Sequence, residues 1–188
     1  RWPGQIEIVA GRYFVRPRYE VLRRGGQRRI AHANVERTDL KPDPRIATLE
    51  KTMGKGYIMP LPVLPRAEFA TVMLPAPMAR GQHELPLRAE LFDATGERVA
   101  TRYLGRIPRR DSIAVDIEAW LKAEAATLPS GYGHVEFLYD FREGGEADGW
   151  LHALARFEQK ASGHRAETIF GAHIYNTALI YKDEPQSY

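Results

Sequence analysis

The chain has 188 residues, of which 44% are apolar and 27% charged, the balance of an ordinary globular protein with room for a full core. No run approaches the roughly 18 to 20 apolar residues of a membrane-spanning helix, and the absence of cysteine excludes a disulfide scaffold, a zinc ribbon and a thiol nucleophile. The formal net charge is only +3, yet residues 1–30 hold eight arginines against Glu7 and Glu20, so the basic character is local.

In chain order, Gln5 to Val9, Arg12 to Val15 and Arg18 to Leu22 predict short strands, and Gly25-Gly26 closes a hairpin onto Arg29 to Val35. Pro42, Pro44, Pro60, Pro62 and Pro65 break ladders and predict a surface excursion over residues 38–68, with a short helix over Ile46 to Met53. Leu85, Leu87, Ala89 and Leu91 alternate with Glu84, Arg88 and Glu90, the pattern of a half-buried strand. Asp93-Ala94-Thr95-Gly96 supplies turn chemistry, and Arg98 to Tyr103 completes a hairpin over 84–104. Ile113, Val115 and Ile117 predict a third strand. Glu118 to Leu128 is rich in helix formers, places Trp120, Leu121, Ala125 and Leu128 near one stripe, and is stopped by Pro129-Ser130-Gly131. Asp116 or Glu118 suits the positive N-terminal end of that helix. Beyond it, Val135, Phe137, Tyr139 and Phe141 alternate with His134, Glu136 and Leu138. Trp150, His152, Leu154, Arg156 and Glu158 then share one face of the next strand. The run from Ala166 to Tyr181 exceeds a typical strand, so Gly171 is expected to mark a bulge or bend.

Many short strands and one short helix define a mainly β class, an antiparallel β-sandwich of immunoglobulin-like or jelly-roll-like form, occupying residues 1–188 as a single domain. From Phe69 to Tyr139 the succession of strand, Asp-x-x-Gly turn, second strand, loop and aliphatic strand resembles the immunoglobulin-like sandwiches common in bacterial proteins. The resemblance implies a fold and no catalytic motif. The start at Arg1 and the stop at Tyr188, just after a strand-like run, fit a piece of a longer protein.

Three functions are weighed. The first is a non-catalytic sandwich that binds a ligand, carbohydrate foremost, or a protein partner. Aromatic and polar residues at Trp150, His152, Arg156, His173 and Asn176 supply rings to stack on sugars and groups to take hydroxyls. Strand edges would also favour homo-oligomers. The second is a metal-dependent jelly-roll enzyme. His134 and Glu136, two apart on a strand, project to one face, and pairing of 133–141 with 150–159 would bring in His152, with His173 as a fourth ligand to a divalent metal and Glu167 as general base. The pattern departs from the H-x-H of cupins. The third is nucleic-acid binding through Arg23, Arg24, Arg28 and Arg29 with Tyr13, Phe14 and Tyr19 nearby, without a recognised binding motif. A solvated or acid-paired basic hairpin is the plainer reading of those arginines. Ser162 and His164 share one turn, which does not make a triad. No nucleophile elbow or P-loop occurs, so the weight falls on binding without catalysis and no cofactor is expected. A cytoplasmic compartment is favoured.

Overall fold

The computed structural model describes residues 18–32, 60–76, 81–145 and 150–173, together with Pro3, Gly4, Ile6, Ile8 and Pro44. Ten strands and one helix occupy them: β1 (Arg18–Leu22), β2 (Arg28–His32), β3 (Leu61–Val63), β4 (Phe69–Ala76), β5 (Glu84–Asp93), β6 (Arg98–Pro108), β7 (Val115–Asp116), α1 (Ile117–Ala123), β8 (Gly133–Tyr139), β9 (Trp150–Gln159) and β10 (Arg165–His173). All pairings are antiparallel, and the chain is mainly β. One four-stranded sheet has the order β10-β9-β4-β7, the other β3-β8-β5-β6, and β1 pairs with β2 alone. Among the described residues no helix is long and apolar enough to cross a membrane.

Period-two alternation decides which side of each strand is buried. Leu85, Leu87, Ala89 and Leu91 of β5, Val135, Phe137 and Tyr139 of β8, and Leu61 and Val63 of β3 enter one apolar cluster. Met73 of β4 and Leu151, Ala153 and Ala155 of β9 enter the same cluster, as does the helix through Ile117, Trp120 and Leu121. A buried tryptophan such as Trp120 is worth about 3 to 5 kcal/mol on truncation, so α1 is a wedge in the core and not a surface ornament.

Turn chemistry sets the hairpin registers. Asp93 Oδ1 accepts from Thr95 N at 2.8 Å, Thr95 Oγ1 at 2.7 Å and Glu97 N at 3.0 Å, and Gly96 takes the positive φ the turn demands. These bonds, led by the Thr95 hydroxyl, hold the Asp93 carboxyl below its ordinary range. The β5–β6 ladder slips twice, between Leu87 and Arg88 and between Leu91 and Phe92. In consequence Ala100 meets Leu91 on the core side while Tyr103 meets Arg88 and is 54% exposed.

Four expectations are corrected. The strand over Ile113 to Ile117 shrinks to Val115–Asp116, because Asp116 already serves as the helix N-cap, accepting from Ala119 N at 3.0 Å. The helix stops at Ala123, ahead of Pro129-Ser130-Gly131. Ala126 N donates to Leu121 O at 3.0 Å and Ala125 N to Lys122 O at 3.4 Å, a Schellman closure that forces Ala125 to φ 49°; Ala125 is therefore exposed and off the apolar stripe. No bulge occurs at Gly171, which pairs in regular register with His152. The strand after residue 133 does not pair with the one after 150, since β8 and β9 belong to different sheets. The strands expected over 5–9 and 12–15 and the helix over 46–53 lie outside the described stretches.

A left-handed alanine costs about 1 kcal/mol relative to glycine. Ala125→Gly is expected to raise the unfolding free energy by about that amount, read as a higher urea midpoint at an unchanged m-value, and a lower midpoint would refute this helix ending.

Candidate functional site

The polar residues singled out from the sequence fall on two separate faces, each turned away from the apolar cluster. On the first, β5 and β8 set Phe92 opposite His134 and Glu90 opposite Glu136. The Phe92 and His134 rings stack at 4.9 Å with an interplanar angle of 8°, and His134 Nε2 lies 3.8 Å from Glu136 Oε1. Glu90 is held by Arg88 at 3.0 Å and Arg98 at 3.3 Å. Burial raises the Glu136 carboxyl above its ordinary range; His134 opposes the rise and Glu90 adds to it. Gly133 makes this approach attainable, because a Cβ there would stand 2.1 Å from the Phe92 carbonyl oxygen. Arg142 lies 3.5 Å over the Tyr103 ring and bonds Asp140 at 3.1 Å.

The second face belongs to β9 and β10. Arg165 pairs in register with Glu158, Glu167 with Arg156, Gly171 with His152 and His173 with Trp150. On the other side of β9, Ala76 is opposite His152 and Val72 opposite Arg156. His152 is only 9% exposed, its Nδ1 has no hydrogen-bond partner, and burial lowers its pKa to about 4. It is a neutral imidazole at physiological pH. Asn176 lies outside the described residues.

The β1–β2 hairpin is docked against this second face. Arg29 of β2 forms an ion pair with Glu167, with side chains 15% and 11% exposed, and Arg23 Nη1 donates to Gly163 O at 3.2 Å. Tyr19 sits beside both partners, and its phenol pKa is raised by burial and by Glu167 against the opposing pull of Arg29. The basic hairpin is thus acid-paired at Arg29, through Glu167, and at Arg28, through Glu20. This weakens the nucleic-acid reading, since Arg23, Arg28 and Arg29 are engaged within the protein and Arg24 alone of the four is exposed without a described bond.

The proposed metal set does not converge. His134 and Glu136 come together on β8, whereas His152 stands on β9, a strand of the other sheet, at a position alternate to Leu151 and Ala153 of the apolar cluster. Among the described residues no group of three or more His, Asp or Glu side chains is gathered to hold a metal ion. Glu167, the candidate general base, is taken by Arg29. At the 159–164 turn, Ser162 Oγ donates to Gln159 Oε1 at 2.6 Å and accepts from His164 N at 3.1 Å, so the serine serves the turn.

Sequence reasoning missed a shallow cleft of about 560 Å³ beside α1, lined by Arg66, Glu118, Lys122 and Thr127 among others. Arg66 meets Glu118 through two bonds, at 2.8 and 2.7 Å, which holds the Glu118 carboxyl below its ordinary range. No local signal links residues so far apart in sequence.

Comparisons with known protein families, with curated proteins and with solved structures find no match to this chain.

Two outcomes follow. Because the folded pKa of His152 is depressed, the unfolded chain takes up a proton that the native one refuses. Its contribution is therefore fully present above pH 6.5 and is lost as pH falls toward 4, by about 3 kcal/mol in all. Urea melts between pH 4 and 7 should show that slope reduced in His152→Leu; an identical slope in both proteins would refute the assignment. Gly133→Ala should lower stability by about 1 to 3 kcal/mol through the clash with Phe92, measured by thermal or urea denaturation.

Proposed function

We propose that the protein is a non-catalytic β-sandwich of immunoglobulin-like type that binds a ligand, carbohydrate being the favoured class, on the β9–β10 face. Support for the sandwich comes from the inner faces of both four-stranded sheets sharing one apolar cluster. The path of the chain adds to it: β4 lies in one sheet, β5 and β6 in the other, β7 back in the first, and α1 then leads to β8 beside β5. That order keeps the strand, turn, strand and helix succession of the Phe69 to Tyr139 stretch within two facing layers.

The observation that carries the binding reading is the β9–β10 register. It brings Trp150 and His173, His152 and Gly171, and Arg156 and Glu167 onto neighbouring positions of one face, opposite in parity to the core residues Leu151, Ala153 and Ala155. In this reading Trp150 and His173 form the contact end, Arg156 supplies guanidinium donors, and the buried His152 positions its neighbours.

Titration calorimetry against neutral and acidic oligosaccharides tests it. Trp150→Ala should weaken binding at least about tenfold, the loss of roughly 1.4 kcal/mol that one stacked ring supplies, with an unchanged circular dichroism spectrum. Tyr103→Ala, on the opposite outer face, should leave binding intact. Unfolding of Trp150→Ala, or binding indifferent to it, would overturn the assignment of this face.

A further inference from the structure

The cleft beside α1 measures about 560 Å³, within the range of roughly 300 to 1,000 Å³ typical of small-molecule sites. It shares no residue with the β9–β10 recognition face, so its role is independent of that reading. The helix and the turn after it supply most of the lining, and Arg66, from the β3–β4 connection, supplies the rest. Two bonds join the sides: Arg66 Nε donates to Glu118 Oε1 at 2.8 Å and Arg66 Nη2 to Glu118 Oε2 at 2.7 Å. That fork fixes the guanidinium at the cleft. Because it also holds the Glu118 carboxyl below its ordinary range, the clamp persists through the physiological pH range.

The hydrogen-bonding capacity of the cleft is one-sided. Its acceptors are engaged: both Glu118 oxygens by Arg66, Leu121 O by Ala126 N at 3.0 Å, Lys122 O by Ala125 N at 3.4 Å, and the Arg66 carbonyl by Lys160 Nζ. Its donors are in surplus. A guanidinium offers five N–H groups in a planar fork and an ammonium three, yet among the described residues Arg66 Nη1, Lys122 Nζ and the Thr127 hydroxyl have no hydrogen-bond or ion-pair partner. The charges lean the same way. Arg66, Lys122 and Lys160, the last 4.0 Å from Glu118 Oε1, stand against Glu118 alone, since Glu124 does not line the cleft.

We propose that the cleft is a small-molecule anion site, in which Lys122, Arg66 Nη1 and Thr127 hold the carboxylate or phosphate group of a ligand whose apolar body lies against Ala119, Ala125 and Ala126. A site with donors to spare and its acceptors spent selects an acceptor-rich, negatively charged group, and charge-assisted bonds to such a group are the stronger kind. The three alanines leave room for the rest of the ligand and add apolar surface for it to cover. A guanidinium already locked by Glu118 has less freedom to lose on binding. The plainer role of Lys122, as a cation in the last turn of α1 that complements the helix dipole, needs neither Arg66 nor the cleft, and the two roles separate experimentally.

The test titrates the full chain with phenyl phosphate, benzoate and the neutral benzyl alcohol at constant ionic strength, following the backbone amide NMR signals of residues 118–127. At least one of the two anions is expected to shift those signals saturably, and the one that binds tighter identifies the oxyanion preferred; benzyl alcohol should bind at least about tenfold more weakly. Lys122→Gln, a change at an exposed position, should weaken anion binding at least about tenfold, and Lys122→Arg should restore most of it. Ala119→Glu, a good helix former that sets a carboxylate in the lining, should abolish binding with the circular dichroism spectrum unchanged. Equal binding of the anions and benzyl alcohol would overturn the proposal, as would shifts that sodium chloride reproduces. A Lys122→Gln protein that loses thermal stability yet binds the anions as before would assign Lys122 to the helix dipole and refute the site. Trp150→Ala should leave the shifts intact; their loss in a folded Trp150→Ala protein would move anion binding to the β9–β10 face and remove it from the cleft.

Discussion

One apolar cluster, drawn from both four-stranded sheets and from α1, is the constraint on which the remaining structure depends. Each strand has only two sides, so committing Leu87, Phe137 and Ala153 to that cluster commits their sequence neighbours to the opposite sides. A register slip of one residue in β8 would bury Glu136 and expose Phe137. The cluster thereby assigns His134 and Glu136 to one outer face and His152, Arg156 and Glu158 to the other, before any polar contact is formed. Trp120 closes the cluster from the helix side, which is why seven helical residues between β7 and β8 matter to two sheets at once.

The outer faces handle charge in different ways. Around β5 and β8 several carboxylates have a partner close by: Glu90 has Arg88 and Arg98, Asp140 has Arg142, and the His134 ring stands near Glu136. That face is nearly self-compensated, and its stacked Phe92 and His134 rings cover part of the strand pair beneath. The β9–β10 face is instead completed from elsewhere in the chain, by a hairpin that hydrogen-bonds to neither large sheet as a further strand. Its arginines arrive as side chains, so their placement depends on a few ion pairs and not on a backbone ladder.

How far the fold could be read in advance follows from whether a feature is local. The β5 strand, the Asp93 turn and the inward set Val135, Phe137 and Tyr139 are all written in residues a few positions apart, and each is found where the local pattern puts it. The end of α1 was misjudged because Ala125 adopts a backbone shape that its side chain disfavours, and composition gives no sign of that. The pairing of β8 was misjudged because adjacency in sequence suggests a hairpin, while the choice of sheet is set by distant apolar partners in β3 and β5. At the candidate site the parity of His152 and Arg156 was legible. The burial of His152 was not, since a polar residue opposite a core residue is normally solvated. The partners of Arg29 and Arg66 were equally hidden, being far away along the chain.

The distance between paired strands also bears on how the molecule reaches this state. β4 aligns Phe69 with Gln159, and β3 aligns Leu61 with Val135, so each ladder must wait for most of the intervening chain to be in hand. The β5–β6 hairpin closes locally and is available early, whereas the two large sheets depend on loops whose closure entropy precedes any reward. Topologies of this kind fold in milliseconds to seconds and not microseconds. During that interval the apolar sides of β4 and β9 are open to water and to other chains, and a newly made molecule is most exposed to misassembly before β9 has emerged and found its place.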